Sequence, residues 1–516
     1  MLTRRKFLIA SAGLAAYAAA PAVLGQPRVR FERDPFALGV ASGSPTPDSV
    51  VLWTRLAPEP LAPRGGLREP SYPVRWELAG DEAMRHVVQS GTEYASAEWG
   101  YSVHVEPHGL KPNRWYFYRF SVGDAVTPVG RTRTAPAAGA MPQRLRFAFG
   151  SCQHYEHGYY VAYRHIVADD LDVMVFLGDY VYESSWNRGK VVRQHGAPET
   201  HTLDDYRARY ALYRGDPDLQ AAHASCPWIV TWDDHEVQND YANDRSQHND
   251  PPGWFLRRRA AAYQAYYEHM PLPRRAVPLG PEMQLYARYA FGSLLSFHVL
   301  DNRQYRSYQP CAPAARGGSN SVGAECAERM NLESTYLGLH QERWLENNLK
   351  NSKARWNILA QQTLFAPADQ QIGVGEKFRT DGWDGYPAAR QRLVDALAEH
   401  KPSNPVFIGG DMHTFYVADV RRDFGDPGSA SVASEFVSTS ITSHAGSQKR
   451  VEDVLRENPH LLYGNGAVRG YTRIDVTAKE LRADLRAVES VLTRDAACST
   501  VASYVVQDGV AGPRKA

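Results

Sequence analysis

The feature that most constrains this chain is a series of short, unbroken apolar runs that each stop close to residues able to donate oxygen, nitrogen or sulfur. The runs are Leu145–Phe149, Val173–Leu177, Trp228–Thr231, Leu294–Leu300, Trp356–Ala360 and Val406–Ile408. Between them lie helical patterns at Tyr160–Ala168, Leu203–Tyr213, Trp254–His269, Gln341–Leu349 and Ala388–His400. Strands that are apolar throughout must be covered on both faces, and helices between them supply the cover. The pattern predicts an α/β domain, whose site gathers where the strands end. Tyr471–Val476 and Leu481–Ala487 alternate in polarity and are expected to finish a sheet.

The residues beyond each run carry the chemistry. Phe149 leads into Gly150, Ser151 and Cys152, and Leu177 leads into Gly178, Asp179, Tyr180, Val181 and Tyr182. Trp232 leads into Asp233, Asp234, His235 and Glu236, then Asn239 and Asp240. Leu300 leads into Asp301, Asn302, Arg303 and Arg306, and Ile408 leads into Gly409, Gly410, Asp411 and His413. One such segment is a turn or a cap. Five in one domain, all beyond apolar runs, point to a metal site.

The donor types divide. Carboxylates and an amide such as Asp179, Asp234 and Asn239 suit hard, oxygen-seeking cations. Cys152, Tyr182 and His413 suit a more strongly Lewis-acidic transition metal, which deprotonates a coordinated thiol. Two adjacent ions sharing a carboxylate can activate water and clamp a phosphoryl group, and Arg303 or Arg306 can grip phosphate oxygens with a planar fork. A structural ion pair is the alternative for Arg303. No Gly-x-Ser-x-Gly elbow, no Gly-rich phosphate loop ending in Gly-Lys-Ser/Thr and no His-Glu-x-x-His helix occurs.

The flanks read differently. Thr3-Arg4-Arg5-Lys6-Phe7-Leu8 and the weakly apolar stretch after it form a twin-arginine export signal, expected over residues 1–25. Removing it would take the net charge from +1 to −2. That balance excludes a basic, nucleic-acid-binding protein. Residues 36–136 are β-rich, and Leu110 to Phe120 resembles the late strands of a fibronectin III-like sandwich. The chain of 516 residues is too long for one ordinary core. A small N-terminal β-sandwich (36–136) is expected to precede a catalytic domain (143–512). Cys311 and Cys326 flank a Gly/Ser/Ala-rich loop and form the expected disulfide of an oxidising compartment.

The ordered set Phe-Gly-Ser-Cys152, Gly-Asp179-Tyr-Val-Tyr182, Trp-Asp233-Asp234-His235-Glu236, Asp301-Asn-Arg303-Gln-Tyr-Arg306 and Gly-Gly-Asp411-Met-His413 resembles the PhoD-type alkaline phosphatases. The resemblance runs from about Phe36 to Gly512. It implies a calcineurin-like metallophosphatase core, a two-sheet α/β sandwich, using iron(III) with calcium. It also implies hydrolysis of phosphate mono- and diesters at alkaline pH, and the export signal predicts a periplasmic or secreted location. Cys152, Asp179, Tyr182 and His413 would hold iron, with Asp179 bridging. Asp411, the pair Asp233 and Asp234, and the pair Asn239 and Asp240 would serve calcium, with the choice inside each pair open. His235 would stand near the phosphate, and Arg303 would bind it. Asp240 stands where an Asn is common. Partners are small phosphate esters and the twin-arginine export machinery, with phospholipids or teichoic-acid-like polymers as further candidates, and a monomer is expected. A phospholipase D-type hydrolase and a non-catalytic surface-binding protein are the competing functions.

Overall fold

A computed structural model describes residues 30–186, 189–444 and 446–516. The expected export signal lies outside the described residues.

Two large sheets face each other. At the centre of the first, which has ten strands, Leu145–Gly150, Val173–Leu177 and Trp228–Thr231 run parallel. In the second, which has seven, Leu295–Val299, Trp356–Ala360, Pro405–Gly409 and Ser431–Val437 run parallel in that order. Their inner faces share one apolar core, with Phe147, Val175 and Ile229 meeting Phe297, Ile358, Val406 and Phe436. Helices Ala162–Ala168, Leu203–Arg214, Pro217–Ser225 and Pro252–His269 cover the first sheet. Leu339–Lys350 and Pro387–His400 cover the second. Each sheet is therefore apolar on both faces, which is why its central strands show unbroken runs instead of alternation.

The helix Leu203–Arg214 begins with a reciprocal cap between Thr202 and Asp205. The helix Pro217–Ser225 has no counterpart among the expected helices. It starts at a proline behind an Asp216 cap and is too short to show a clear period.

The N-terminal β-sandwich is present, and its strands divide between two sheets. Ser71–Ala79, Val87–Ser96, Trp115–Val122, Ala125–Val126 and Gly130–Arg133 form a five-stranded sheet. Val40–Gly43, Val51–Arg55 and Ser102–Val105 instead extend the ten-stranded sheet, with Gly43 paired to Trp228. Val74, Tyr118 and Phe120 of one layer pack with Leu52 and Val103 of the other.

Cys311 and Cys326 are bonded, 15 residues apart in sequence. Among the described residues no helix is long and apolar enough to cross a membrane.

Candidate metal centre

Parallel strands deliver their carboxyl ends to one edge of a sheet. Cys152, Asp179 and Asp233 follow three such ends in the first sheet; Asp301 and Asp411 follow ends in the second. Gln362 bridges the two layers, its Nε2 donating to Trp232 O and Leu300 O, both at 2.8 Å.

The backbone is strained where the donors sit. Cys152, Asp179, Asp240, Asp411 and His413 have φ of 60°, 57°, 57°, 57° and 51°. A side chain in this left-handed region costs roughly 1–2 kcal/mol per residue. Such outliers gathered at one place are a mark of a functional site. Gly178, at φ +104°, lets Asp179 and Asp233 approach, since a Cβ there would lie 2.5 Å from the Asp233 Cβ.

Four sets of donor atoms lie within 4.8 Å of one another: Cys152–Asp179–His413, Asp179–Asp234–His235, Asp179–Asp233–Asp411 and Asp234–Asp240–Asp381. Asp179 belongs to three of the four. Tyr182 joins the first set, its hydroxyl donating to Asp179 Oδ2 at 2.8 Å and lying 3.3 Å from His413 Nε2. Ser443 Oγ lies 2.8 Å from both the Tyr182 hydroxyl and the Cys152 carbonyl oxygen. His413 is oriented through Nδ1, which is 2.6 Å from His444 O.

The electrostatics fit a cation. Burial, followed by the charges of Asp179 and Asp411, pushes the Cys152 thiol well above its ordinary value. Burial, followed by Asp179 and Cys152, does the same to Tyr182. Burial drives Asp179 and Asp233 up as well, with neighbouring aspartates adding to it, and pushes Asp411 up to about 6. Asp179 Oδ1, Asp233 Oδ2 and Asp234 Oδ1 are buried without a hydrogen-bond partner. So many acidic donors crowded out of water hold their protons unless positive charge is added. Bound cations supply that charge, and the thiol, phenol, imidazole and carboxylate set suits them.

His235 differs. Burial opposes its charge, but Glu183, then Asp234 and Asp179, outweigh that and hold it well above the ordinary imidazole range. Its Nδ1 lies 2.6 Å from Glu183 Oε2.

Asn239 and Asp240 are separated by the fold. The Asn239 amide donates to Gln247 Oε1 at 2.6 Å, whereas Asp240 joins Asp234 and Asp381. Arg303 is fully buried, with Nε 2.5 Å from Asp233, Nη1 2.9 Å from Asp381 and Nη2 3.7 Å from Asp234. Carboxylates thus engage most of its fork, leaving Nη2 without a hydrogen bond. Arg306 donates to Asp381 at 2.6 Å.

Three further acids complete this centre. Glu183 meets His235. Glu236 accepts from Asp179 N, Tyr180 N and Asp233 N at 3.1, 2.6 and 2.9 Å, so it holds two donor loops together. Asp381 ties Arg303 to Arg306. The Glu236 position next to His235 was a signal; the other two depend on contacts between distant segments.

Similarity to known proteins gives the class, a phosphoric ester hydrolase. Residues 147–485 match the family model for PhoD-like phosphatase, and residues 19–136 match the model for the PhoD-like phosphatase N-terminal domain. The chain belongs to the PhoD-like phosphatase family. It is 47% identical over 492 residues to alkaline phosphatase D of Bacillus subtilis (strain 168), covering 94% of this chain and 83% of that one. A solved structure described as the structure of PhoD superposes with a TM-score of 0.90 at 46% identity, covering 94% of this chain and 93% of the other. Family membership decides for an enzyme and against a purely surface-binding role.

Proposed function

We propose that this chain is an exported, metal-dependent alkaline phosphatase and phosphodiesterase that hydrolyses phosphate mono- and diesters with a metal-activated water. The observation that carries the reading is Asp179, whose carboxylate is common to three donor sets and would bridge two cations. Cys152, Tyr182, His413 and Asp179 would hold iron(III). Asp411, Asp233 or Asp234, and Asp240 in preference to Asn239 would hold calcium. Bound there, such ions activate water and neutralise charge on the transferring phosphoryl group.

The chain's own residues do the rest. Glu183 keeps a proton on His235, which stands ready to protonate the departing oxygen. Arg303 fixes the Asp233 and Asp381 carboxylates and offers its remaining Nη2 to the phosphate. In this reading residues 36–136 are an accessory domain that buttresses the catalytic domain, 143–512. The twin-arginine segment supports export to the periplasm or beyond, and the disulfide fits an oxidising compartment.

The test is hydrolysis of a soluble phosphomonoester and a soluble diester at alkaline pH, before and after chelation. Loss of both activities on chelation and their return with iron and calcium is expected. Chelator-resistant hydrolysis sinks the metal dependence, and turnover of the monoester alone sinks the diesterase half.

One observation favours phospholipids as substrates. Ile372 and Val374 are 58% and 101% exposed on the loop that leads through Phe378 and Arg379 into Asp381. Phosphatidyl head groups in vesicles would then be released faster than a soluble diester is cleaved.

A further inference from the structure

Carboxylates engage most of the Arg303 and Arg306 nitrogens, so a further cation without a counter-charge would add to recognition of the incoming anion. Arg469 stands where one is needed. It opens the strand Arg469–Val476, which runs antiparallel beside Leu145–Gly150 with Thr472 opposite Phe149. Continued past its last pair, that register puts Arg469 level with Cys152. The Thr439 hydroxyl ties the same corner to the centre, lying 2.8 Å from Val468 O and 3.2 Å from His413 O. Gly470 N donates to Ser440 O at 3.0 Å, within the Ser/Thr-rich segment that also carries Ser443.

The guanidinium is pinned but not neutralised. Arg469 Nη1 donates to Gly466 O at 3.3 Å and to Val468 O at 2.7 Å. Among the described residues no carboxylate lies within ion-pair distance of it, and Nε and Nη2 donate to no protein group. Arg473, two positions along the same strand face, is satisfied by Asp169 at 2.9 Å and Asp484 at 2.7 Å. A half-buried cation without a counter-charge is costly unless an anion completes it. Burial pulls Arg469 down to about 10.

We propose that Arg469 is a substrate-binding residue that grips the non-bridging oxygens of a phosphate group entering on the Cys152–His413 side of the centre. The ligand class is a phosphate anion, either that of the ester or the inorganic phosphate released. A guanidinium presents two parallel donors to such oxygens. The inference rests on the phosphatase reading of the same centre.

The test uses inorganic phosphate as a competitive inhibitor of monoester hydrolysis, with wild type, Arg469→Ala, Arg469→Lys and Arg469→Gln in parallel. Metal content is measured on each. Arg469→Ala is expected to raise the phosphate inhibition constant about tenfold or more, as loss of a charged hydrogen bond does. KM should rise with it, kcat should fall less, and metal content should hold. Arg469→Lys should recover part of the affinity. Should Arg469→Ala not fold, Arg469→Gln keeps a donor for the two carbonyls and carries the same test. An unchanged inhibition constant, or loss of metal alongside activity, overturns the assignment in favour of a structural role. If wild type neither hydrolyses the ester nor responds to phosphate, the phosphatase reading itself fails. If wild type does both and the variants match it, Arg469 alone is wrong.

Discussion

The Nδ1 of His235 lies 2.6 Å from Oε2 of Glu183, and both side chains are buried. Glu183 Oε1 also accepts from Asn239 N at 2.9 Å, so the carboxylate is fixed before it fixes the imidazole. The pairing puts the ring proton on Nδ1 and favours a second one on Nε2.

Glu183→Gln removes the charge but keeps the shape. It is expected to lower kcat by about 10- to 100-fold, the usual cost of losing a supporting partner. The loss should be larger for an alkyl ester than for an aryl ester, whose leaving oxygen needs a proton less. Equal losses on the two esters would remove His235 from leaving-group protonation.

Asp179→Asn tests the shared carboxylate. Because one residue serves three donor sets, its loss should release metal from the whole centre and lower activity by more than the roughly 100-fold typical of a supporting residue. Full metal content in this variant would mean that the donor sets do not share Asp179 in the working enzyme.

The disulfide reaches the acidic side of the centre. The loop between Cys311 and Cys326 carries Ser319, whose N and Oγ donate to Asp240 Oδ2 at 3.1 and 2.5 Å. Cross-linking a loop of 15 residues is worth roughly 3 kcal/mol. Replacing both cysteines by serine should lower unfolding stability by about that amount and weaken calcium binding while leaving iron in place. Calorimetry with a calcium titration checks both; unchanged calcium affinity would uncouple the loop from Asp240.

The clustering of candidate donors was legible in the sequence because parallel strands place chemically marked side chains together just beyond apolar runs. The strands Val173–Leu177, Trp228–Thr231 and Trp356–Ala360 coincide with their runs for that reason. Glu183 was not legible. It follows Tyr182 directly, and its importance comes from meeting a histidine 52 residues away. The strain at Cys152, Asp179 and Asp411 was equally hidden, since none of these residue types announces a left-handed backbone. Nor could the strand pattern reveal that Gly43 would pair with Trp228, because pairing between distant segments leaves no local periodicity.

Acid should destabilise the fold through two buried histidines that belong to none of the donor sets. Burial holds His104 and His298 each down to about 4, against an ordinary value of 6.5. The unfolded chain therefore takes up protons that the folded one refuses, and stability is lost as pH falls from 6.5 towards 4. Each group contributes roughly 3 kcal/mol across that window. Denaturant midpoints for wild type and His298→Gln should converge as the pH is lowered. Parallel pH dependence in the two proteins would show that His298 is not held neutral.

The most direct test of convergence on one pair of cations is an anomalous difference map at the iron edge, from crystals of active protein purified after export. The expected result is a strong peak enclosed by Cys152, Asp179, Tyr182 and His413, with a second, non-iron ion on the Asp411 side. An active crystal with no metal peak touching those four side chains would contradict it.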